Sequence, residues 1–414
     1  MTAGADRPPV RDGASGAPGP SGPSGVPGSA APSFPVVLDA MGGDHGPVET
    51  VPAAVAARRR FGVPVVLVGR SAAVEAELRR HGAHGEVEVV HAPDAVPMDE
   101  HGAGALTRTA SSLMVGCALA RDRGGAFVSA GSTGAVVTCA VRTFGRRAGV
   151  LRPALAVALP SLTGATVLVD AGATADPTAA MVAQFALLGA VYARRVLGVD
   201  DPSVGLLSLG AEPGKGDRLA RETARLLPAL PVRFHGNVEG HDVLAGTVDV
   251  VVTDGFTGNV VLKTVEGTVR TTLDLVARAG IAEPARLREV ARRYAAETHG
   301  GAALLGLAGT VVVAHGSSRA AAIARACAVA RDLAADRAAL GEDLPLGVTP
   351  EGEAVGAKAG TAGTGMTRTD TAPKGRAATG AATAETAAAD AVRGRGGGPD
   401  LPGRDVRCGG EGGA

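Results

Sequence analysis

Five short segments of the sequence place glycine beside hydroxyl, amide, carboxylate or imidazole side chains. They are LDAMGGDHGP, SAGSTGA, VDAGATAD, VTDGFTGN and AHGSSRA, and each lies between an apolar run and a helix-like pattern. Glycine lets backbone N–H groups approach a ligand, Ser or Thr adds a hydroxyl, and a helix N-terminus adds unpaired donors and a positive dipole end. Helix capping, for which Ser, Thr and Gly are preferred, also explains any single junction. Five together favour a ligand that resembles phosphate.

The candidate binding residues are the glycines, hydroxyls and carboxylates of these five junctions. They are Gly42, Gly43, Gly131, Ser132, Thr133, Gly134, Asp170, Asp254, Gly255, Thr257, Gly258, Ser317 and Ser318. No segment indicates a covalent nucleophile, because GHDVLAG and AHGSS do not match the G-x-S-x-G turn of hydrolases. A bound phosphate could then be the nucleophile, and catalysis would rest on positioning and on stabilisation of an oxyanion.

Nine short apolar runs, from PVVLDA to GTVVVAHG, mostly alternate with helix-length segments. This rhythm predicts an α/β fold, in which a mostly parallel sheet carries helices on both faces through right-handed crossovers. Most runs end in Gly, Asp, Ser or His. We therefore expect the five junctions to meet at one carboxyl edge, where open α/β sheets bind ligands. Residues 268–308 break the rhythm and predict a helical hairpin, with two helices around Glu283–Pro284 and no strand between them.

Composition sets the limits of the folded body. Residues 1–33 and 346–414 are dense in small and polar residues and poor in large apolar ones, so we predict two disordered tails around a body at 34–345. The chain has 41 basic and 41 acidic residues and only 2% aromatic residues, which argues against nucleic-acid binding. No uncharged apolar span of 18 residues and no apolar signal segment is seen, so a cytoplasmic location is expected.

Spacing argues against several other kinds of chemistry. The segment GAEPGKGD lacks the spacing of a P-loop and has no Ser or Thr after Lys215, which disfavours nucleotide hydrolysis. Cys117, Cys139 and Cys327 form no C-x-x-C pair and are predicted to be small buried side chains. The histidines are scattered, so we predict neither a metal site nor a cofactor.

Several segments together resemble one known family. They are LDAMGGDHGP, SAGSTGA, GNVEGHDVL, DVVVTDGFTGNVVLKTVEG, GGAALLGL and VVVAHGSS. All are similar to motifs of the PlsX family, the phosphate acyltransferases of bacterial phospholipid synthesis. The resemblance runs over about residues 34–340, which is essentially the whole predicted body.

The resemblance implies a specific reaction and architecture. The reaction moves a fatty acyl group from acyl carrier protein to inorganic phosphate and gives acyl phosphate and free carrier. A membrane acyltransferase then passes the acyl group to glycerol 3-phosphate. The implied fold is a three-layer α/β/α sandwich, related to phosphotransacetylases and isocitrate-dehydrogenase-like proteins. A homodimer with peripheral contact to the membrane is also implied.

Under this resemblance, phosphate is expected between the N–H groups of Gly131–Gly134 and those of Gly255–Asn259. The Asn259 amide is expected to donate to the thioester oxyanion. Lys263 either supplies a cation or forms a structural salt bridge, because it lies more than one helical turn beyond Asn259. The strand-end carboxylates Asp170 and Asp254 are expected to orient N–H groups, since a carboxylate beside an anion repels it.

Two histidines are candidates for proton transfer. His45 or His315 would tune the protonation of phosphate or protonate the departing thiolate. Neither a strong base nor an acid is required, because phosphate is already largely anionic at neutral pH and a thiolate leaves readily. We therefore regard both histidines as candidates for assisting the reaction.

The sequence departs from the family pattern at hydrogen-bonding positions. The segment TRTASSLM keeps only Arg108 of a basic run and has Thr109 next to it. Ser132 stands where asparagine is common, and Thr174 replaces an amide. Each replacement except the loss of basic charge keeps a hydrogen-bonding side chain, so an anion site could survive.

Two other functions stay open at this point. One is a short-chain phosphate acyltransferase that uses acyl-CoA, and the other is a non-catalytic scaffold that binds the carrier protein. An acidic carrier needs a basic surface on its partner. The candidate clusters are Arg58–Arg59–Arg60, Arg79–Arg80, Arg146–Arg147, Arg194–Arg195 and Arg292–Arg293.

Overall fold

The computed structural model describes residues 34–100, 102–294 and 300–339. Both predicted tails and Cys408 lie outside the described residues. The strands are β1 Val36–Asp39, β2 Val65–Gly69, β3 Glu88–His91, β4 Ala126–Ser129, β5 Ala154–Ser161, β6 Gly164–Val169, β7 Ser203–Leu207, β8 Arg233–Val238, β9 Val250–Val252, β10 Ala302–Leu305 and β11 Thr310–Val313. They form one sheet in the order β3-β2-β1-β4-β11-β10-β5-β6-β9-β7-β8.

Helices cover both faces of this sheet. They are α1 Pro47–Phe61, α2 Ser71–Arg80, α3 Gly102–Ala105, α4 Ser112–Asp122, α5 Thr133–Phe144, α6 Ala179–Val196, α7 Arg218–Leu226, α8 Asp242–Ala245, α9 Gly255–Arg278, α10 Pro284–Tyr294 and α11 Ala320–Ala339, with a short 3-10 helix at Leu227–Ala229. Successive strand residues point to opposite faces. Val37 accordingly packs with α4 and α5, whereas Val36 and Leu38 pack with α1 and α11.

The same division holds in the second half of the sheet. Leu168 and Val251 share the core that includes Leu262 of α9, whereas Val167 and Val250 pack against α6 and α7. Strands buried on both faces require the continuous apolar runs seen in the sequence. The predicted three-layer α/β/α sandwich is therefore confirmed.

The strand directions differ from the prediction of one carboxyl edge. β10 pairs antiparallel with both β11 and β5, and β5 also pairs antiparallel with β6. The block β6, β9, β7 and β8 is internally parallel but runs opposite in sense to β1, β4 and β11. The expectation that all five junctions follow parallel strands at a single edge is wrong. Three belong to one block and two to the other.

The helical hairpin consists of α9 and α10, which pack together. The first helix begins at Gly255, well before the predicted residue 268, and Ala302–Leu305 forms β10 where the prediction had no strand. Leu275 and Ile281 near the turn of the hairpin are 62% and 76% exposed. None of the helices in the described ranges is both long and apolar enough to cross a membrane.

Candidate active site

The junctions after β1, β4 and β11, which we call the first junction group, are held together by hydrogen bonds. Asp44 N–H donates to the carbonyl of Gly316 over 2.9 Å, which joins the β1 and β11 junctions. The Ser129 hydroxyl donates to Asp39 Oδ2 over 2.8 Å and accepts the N–H of Gly131 at 3.0 Å. These strands are neighbours in the sheet, so the junctions form one continuous loop cluster.

Two glycines allow this close approach. A Cβ at Gly42 would lie 2.8 Å from Asp39 Oδ2 and 2.9 Å from the nitrogen of Gly131. Gly43 has a φ of +87°, which favours glycine, and a Cβ there would lie 3.0 Å from the carbonyl oxygen of Gly316. Both residues therefore serve to pack the three loops backbone against backbone.

The start of α5 supplies the unpaired donors of the first junction group. Ser132 is the N-cap residue, but its side chain makes no capping hydrogen bond. Val136 N–H donates to the Ser132 carbonyl, whereas the N–H groups of Thr133, Gly134 and Ala135 have no acceptor among the residues the structure describes. By contrast, α4, α6, α7 and α9 are capped by the side chains of Ser111, Thr178, Asp217 and Asp254. This helix end therefore offers unpaired donors to an anion.

The last junction of the group presents an ordered imidazole. His315 Nδ1 lies 2.8 Å from Ser317 Oγ and accepts the Ser317 N–H at 3.3 Å. The neutral ring therefore carries its hydrogen on Nε2, which stays available as a donor. Ser318 is buried, and its N–H is bound to the carbonyl of His315. His45 is half-buried just before α1 in the same loop cluster.

The junctions after β6 and β9, the second junction group, are organised by the buried carboxylate of Asp170. Its Oδ1 accepts the N–H groups of Leu155, Gly172 and Ala173 at 2.8, 3.1 and 2.9 Å. Its Oδ2 accepts the Thr174 N–H at 2.7 Å. Burial raises the pKa of Asp170, and these N–H donors act in the opposite direction. The carboxylate oxygens thus accept hydrogen bonds from the N–H groups of their own loop, and they have little remaining capacity to bind a ligand.

Most N–H groups at the start of α9 are also used within the protein. The Asp254 side chain accepts the Thr257 N–H at 2.8 Å, and its carbonyl accepts the Gly258 N–H at 2.9 Å. Gly255 N–H donates to the carbonyl of Thr174 over 2.9 Å. The cradle predicted at Gly255–Asn259 therefore needs correction, because three of its N–H groups are already bound.

The polar group that this helix leaves open is the Asn259 side chain. It is exposed, its amide makes no hydrogen bond to any residue of the described ranges, and a Cβ at Gly172 would lie 3.6 Å from its Oδ1. Lys263, about one helical turn beyond Asn259, forms an ion pair. Its Nζ lies 2.9 Å from Glu266 Oε2, a salt bridge within the exposed face of α9. This pairing favours the structural alternative for Lys263.

A cavity of about 370 Å³ adjoins the second junction group. It lies at the carboxyl ends of β7 and β9, and Asp254 and Thr257 line it. Apolar side chains from α6, β7, α7 and α9 form most of its wall. They are Val182, Leu206, Leu207, Leu209, Leu219, Ala220 and Val261. No sequence motif indicates this site, although the rejected GAEPGKGD segment contributes Gly216 and Asp217 to it.

The cysteines play no part in either junction group. Cys117, Cys139 and Cys327 are buried, as predicted. Burial raises the pKa of Cys139 to about 11 and that of Cys327 to about 12. Both thiols therefore stay protonated at neutral pH and behave as small apolar side chains.

Asp39 gives the first junction group a pH-dependent stability. Burial raises the pKa of this carboxyl above its ordinary value, against the lowering effect of hydrogen bonds that include the Ser129 hydroxyl. The stabilisation is therefore complete below the pKa of the unfolded chain and is lost as the pH rises through the folded-state pKa.

Replacing Asp39 by asparagine removes this titration. The difference in unfolding free energy between Asp39→Asn and the wild type should shift in favour of the variant as the pH rises from about 4 towards 8, by about 1.4 kcal/mol per unit of pKa elevation. Denaturant unfolding at a series of pH values measures it. A difference that stays constant across this range would contradict the assignment.

Known proteins were compared with this chain. A family model described as "Fatty acid synthesis protein" matches residues 34–340. The phosphate acyltransferase of Thermobifida fusca is 50% identical over 323 residues, covering 74% of this chain and 89% of that protein. The phosphate acyltransferase of Anaeromyxobacter sp. (strain Fw109-5) is 42% identical over 330 residues, covering 76% and 91%.

A solved structure agrees with the fold. A phosphotransacetylase from Streptococcus pyogenes superimposes with a TM-score of 0.50 and 18% identity, covering 74% of this chain and 95% of that one. At this identity the likeness concerns the fold alone. The family match and the identities above confirm the resemblance drawn from the motifs. The chain is an acyltransferase and belongs to the PlsX family of phosphate acyltransferases.

Proposed function

We propose that this acyltransferase moves a fatty acyl group from acyl carrier protein to inorganic phosphate, and that the acyl phosphate feeds phospholipid synthesis. The observation that carries the proposal is the set of unpaired N–H groups at Thr133, Gly134 and Ala135, at the start of α5 in the first junction group. Phosphate is an anion that such a helix end accommodates without arginine. The names of the relatives, phosphate acyltransferase, support the same acceptor.

The thioester is assigned to the second junction group. The Asn259 amide has no other partner there, so it is free to donate to a developing oxyanion. Adjacent strands of a sheet are rotated by roughly 20–25°, and the five steps from β4 to β9 add up to on the order of 100°. The strands of the first and second junction groups run in opposite senses. Because of this twist, their carboxyl ends point partly towards each other. We therefore propose that phosphate at the first junction group and the thioester at the second meet across β10 and β5.

The proposed reaction needs few protein groups. A phosphate oxygen attacks the thioester carbonyl carbon, a C–O bond forms, and the carbonyl electrons move to the oxygen, which Asn259 stabilises. Collapse of this intermediate breaks the C–S bond and releases the carrier thiolate, which takes up a proton. The Nε2–H of His315, in the loop cluster of the first junction group, would donate a hydrogen bond to phosphate. The ring could supply the proton for the thiolate only in its protonated imidazolium form.

One assay tests the proposal. Acyl carrier protein loaded with a fatty acyl group is incubated with and without phosphate, and acyl phosphate and free carrier are measured. The expected result is carrier release that depends on phosphate and matches acyl phosphate formation. Activity with acyl-CoA alone would instead indicate the short-chain alternative, and carrier binding without turnover would indicate a scaffold.

The carrier protein is expected to dock through charge. It is acidic, and three of the predicted clusters lie on exposed helix ends, namely Arg58–Arg59–Arg60, Arg79–Arg80 and Arg194–Arg195. The affinity for the carrier should then fall steeply with salt concentration.

We also propose a homodimer, in which the exposed apolar side chains Phe256 and Val260 are covered. Light scattering of the protein in solution measures its molar mass and so distinguishes a dimer from a monomer.

We further propose that the hairpin α9–α10 contacts the inner membrane surface from the cytoplasm, next to a membrane glycerol-3-phosphate acyltransferase. Two large apolar side chains near its turn, Leu275 and Ile281, are exposed. A Leu275→Glu/Ile281→Glu double variant should lose binding to anionic phospholipid vesicles at least about 10-fold, because burial of each side chain is worth about 1.5–3 kcal/mol. Turnover in solution should be unchanged.

A matched control uses another exposed apolar residue. Leu162, between β5 and β6, is 80% exposed and lies outside the hairpin. Leu162→Glu should bind vesicles like the wild type. Equal loss in both variants, or in neither, would show that the hairpin is not the contact.

A further inference from the structure

The cavity beside the second junction group has walls from four elements. α6 contributes Val182, the end of β7 contributes Leu206, α7 contributes Leu219 and α9 contributes Val261. Its volume of about 370 Å³ is in the range of small-molecule sites. The cavity reaches Asp254 and Thr257, so whatever fills it ends at the start of α9, on the helix face that also carries Val261.

Two hydroxyl groups in this apolar wall have no hydrogen-bond partner within the described part of the chain. Thr223 of α7 is fully buried, and its Oγ1 is unpaired. Ser208, just after β7, has a buried and unpaired Oγ. Both residues line the cavity. Because a buried unpaired hydroxyl is costly, such groups call for a ligand that brings its own hydrogen-bonding atoms.

Charged side chains of both signs lie at the rim of the cavity: Asp217 and Asp254 line it, and Arg218 is paired with Glu222. Gly216 and Asp217 line it, and Lys215, Arg218 and Arg221 lie next to them with exposed side chains. Lys215 makes no ion pair with any residue whose side chain is described. The loop that carries Lys215 is anchored, because Asn237 Nδ2 donates to the carbonyl of Glu212 over 3.1 Å. A cation at a fixed rim suits a phosphate ester at the outer end of a ligand.

A bare acyl chain does not fit this combination. It would match the apolar wall, but it has no atom that could accept from Thr223 or Ser208. The pantetheine arm that links an acyl group to its carrier has apolar stretches, amide groups and a terminal phosphate ester. Its thioester lies at the opposite end from that phosphate.

We propose that this cavity binds the phosphopantetheine arm of the acyl donor, with amide groups at Thr223 and Ser208 and the phosphate ester at Lys215. The arm then brings the thioester to the start of α9, where Asp254 and Thr257 line the cavity. This assignment rests on the proposed function, because it takes the acyl donor to be a pantetheine thioester. The acyl chain itself does not occupy the cavity and extends beyond it.

Thr223→Val tests the assignment, because it replaces one hydroxyl by a methyl group of similar size. The expected result is a KM for the acyl donor raised roughly 2- to 10-fold, the worth of one hydrogen bond. The factor should be equal for octanoyl and palmitoyl carriers. kcat and the KM for phosphate should stay unchanged, and thermal stability should not fall, since an unpaired hydroxyl is removed. Thr223→Ser keeps the hydroxyl and should restore the wild-type KM.

A binding measurement separates this proposal from the proposed function. Free 4′-phosphopantetheine is titrated by calorimetry into the wild type, Thr223→Val and Lys215→Gln. Weaker binding to both variants than to the wild type supports the cavity assignment, even for an enzyme that forms no acyl phosphate. Equal binding to all three overturns it, even for an enzyme with full turnover. A changed octanoyl-to-palmitoyl preference in Thr223→Val also overturns it, because the acyl chain would then occupy the cavity.

Discussion

Asn259→Ala is expected to lower kcat by about 10²–10³-fold and to leave thermal stability nearly unchanged. The fold-change is the loss seen when one oxyanion donor is removed from an acyl-transfer site. The side chain is exposed on the first turns of α9 and is bound to no residue that the structure describes. Alanine is a better helix former than asparagine, so the backbone should tolerate the change.

The kinetic constants distinguish two roles for this amide. An oxyanion donor acts in the transition state, so kcat and kcat/KM should fall together while the KM for phosphate stays constant. A group that only binds phosphate would raise that KM and leave kcat intact. A raised KM for phosphate with an unchanged kcat would show that Asn259 is not the oxyanion donor. Normal turnover would show that Asn259 is not part of the site.

Lys263 provides the comparison on the same helix. Its Nζ is paired with Glu266 at 2.9 Å, and about half of the lysine side chain is exposed. Such a pair contributes at most about 1 kcal/mol to the unfolding free energy and touches no reacting group, so Lys263→Gln should leave kcat nearly unchanged. A loss as large as that of Asn259→Ala would restore the cation role considered from the sequence.

The strands that the sequence predicted are those with a strong local signal. VVLVG and VVV are runs of β-branched residues buried on both faces, and each is a strand. The missed strands, β5 and β10, read ALAVALPS and AALL. Short apolar runs rich in Ala and Leu fit a helix as well as a buried strand. These two strands reverse the sheet, so the error in strand count became an error in how the junctions are arranged.

The site shows a second limit of sequence reasoning. Asp254 and Ser132 both precede a helix and are both preferred capping residues. The structure pairs the Asp254 side chain with Thr257 N–H and leaves the start of α5 without a side-chain cap. Which donors stay free depends on rotamers and on neighbouring loops, and the motif does not encode them. Thr223 is a stronger case, because its burial arises where separate elements meet.

Gly258→Ala is expected to lower the unfolding free energy by about 3 kcal/mol, the upper part of the range for overpacking. A Cβ at this position would clash with the carbonyl oxygen of Asp170 and would lie 2.9 Å from its carbonyl carbon. That carbonyl cannot move aside easily. The Asp170 N–H is bound to Thr253 at 3.1 Å, and the carboxylate holds the N–H groups of its own loop.

Gly267→Ala on the same helix is the matched control. A Cβ there meets nothing within 4 Å, so alanine should stabilise α9 by roughly 0.5–1 kcal/mol through its higher helix propensity. The same Gly→Ala change should thus alter the unfolding free energy in opposite directions at two positions of one helix, as measured by denaturant unfolding. Equal effects would mean that helix propensity alone decides both. A destabilised but folded Gly258→Ala protein should also lose turnover, because any shift of α9 away from Asp170 carries Asn259 away from Gly172.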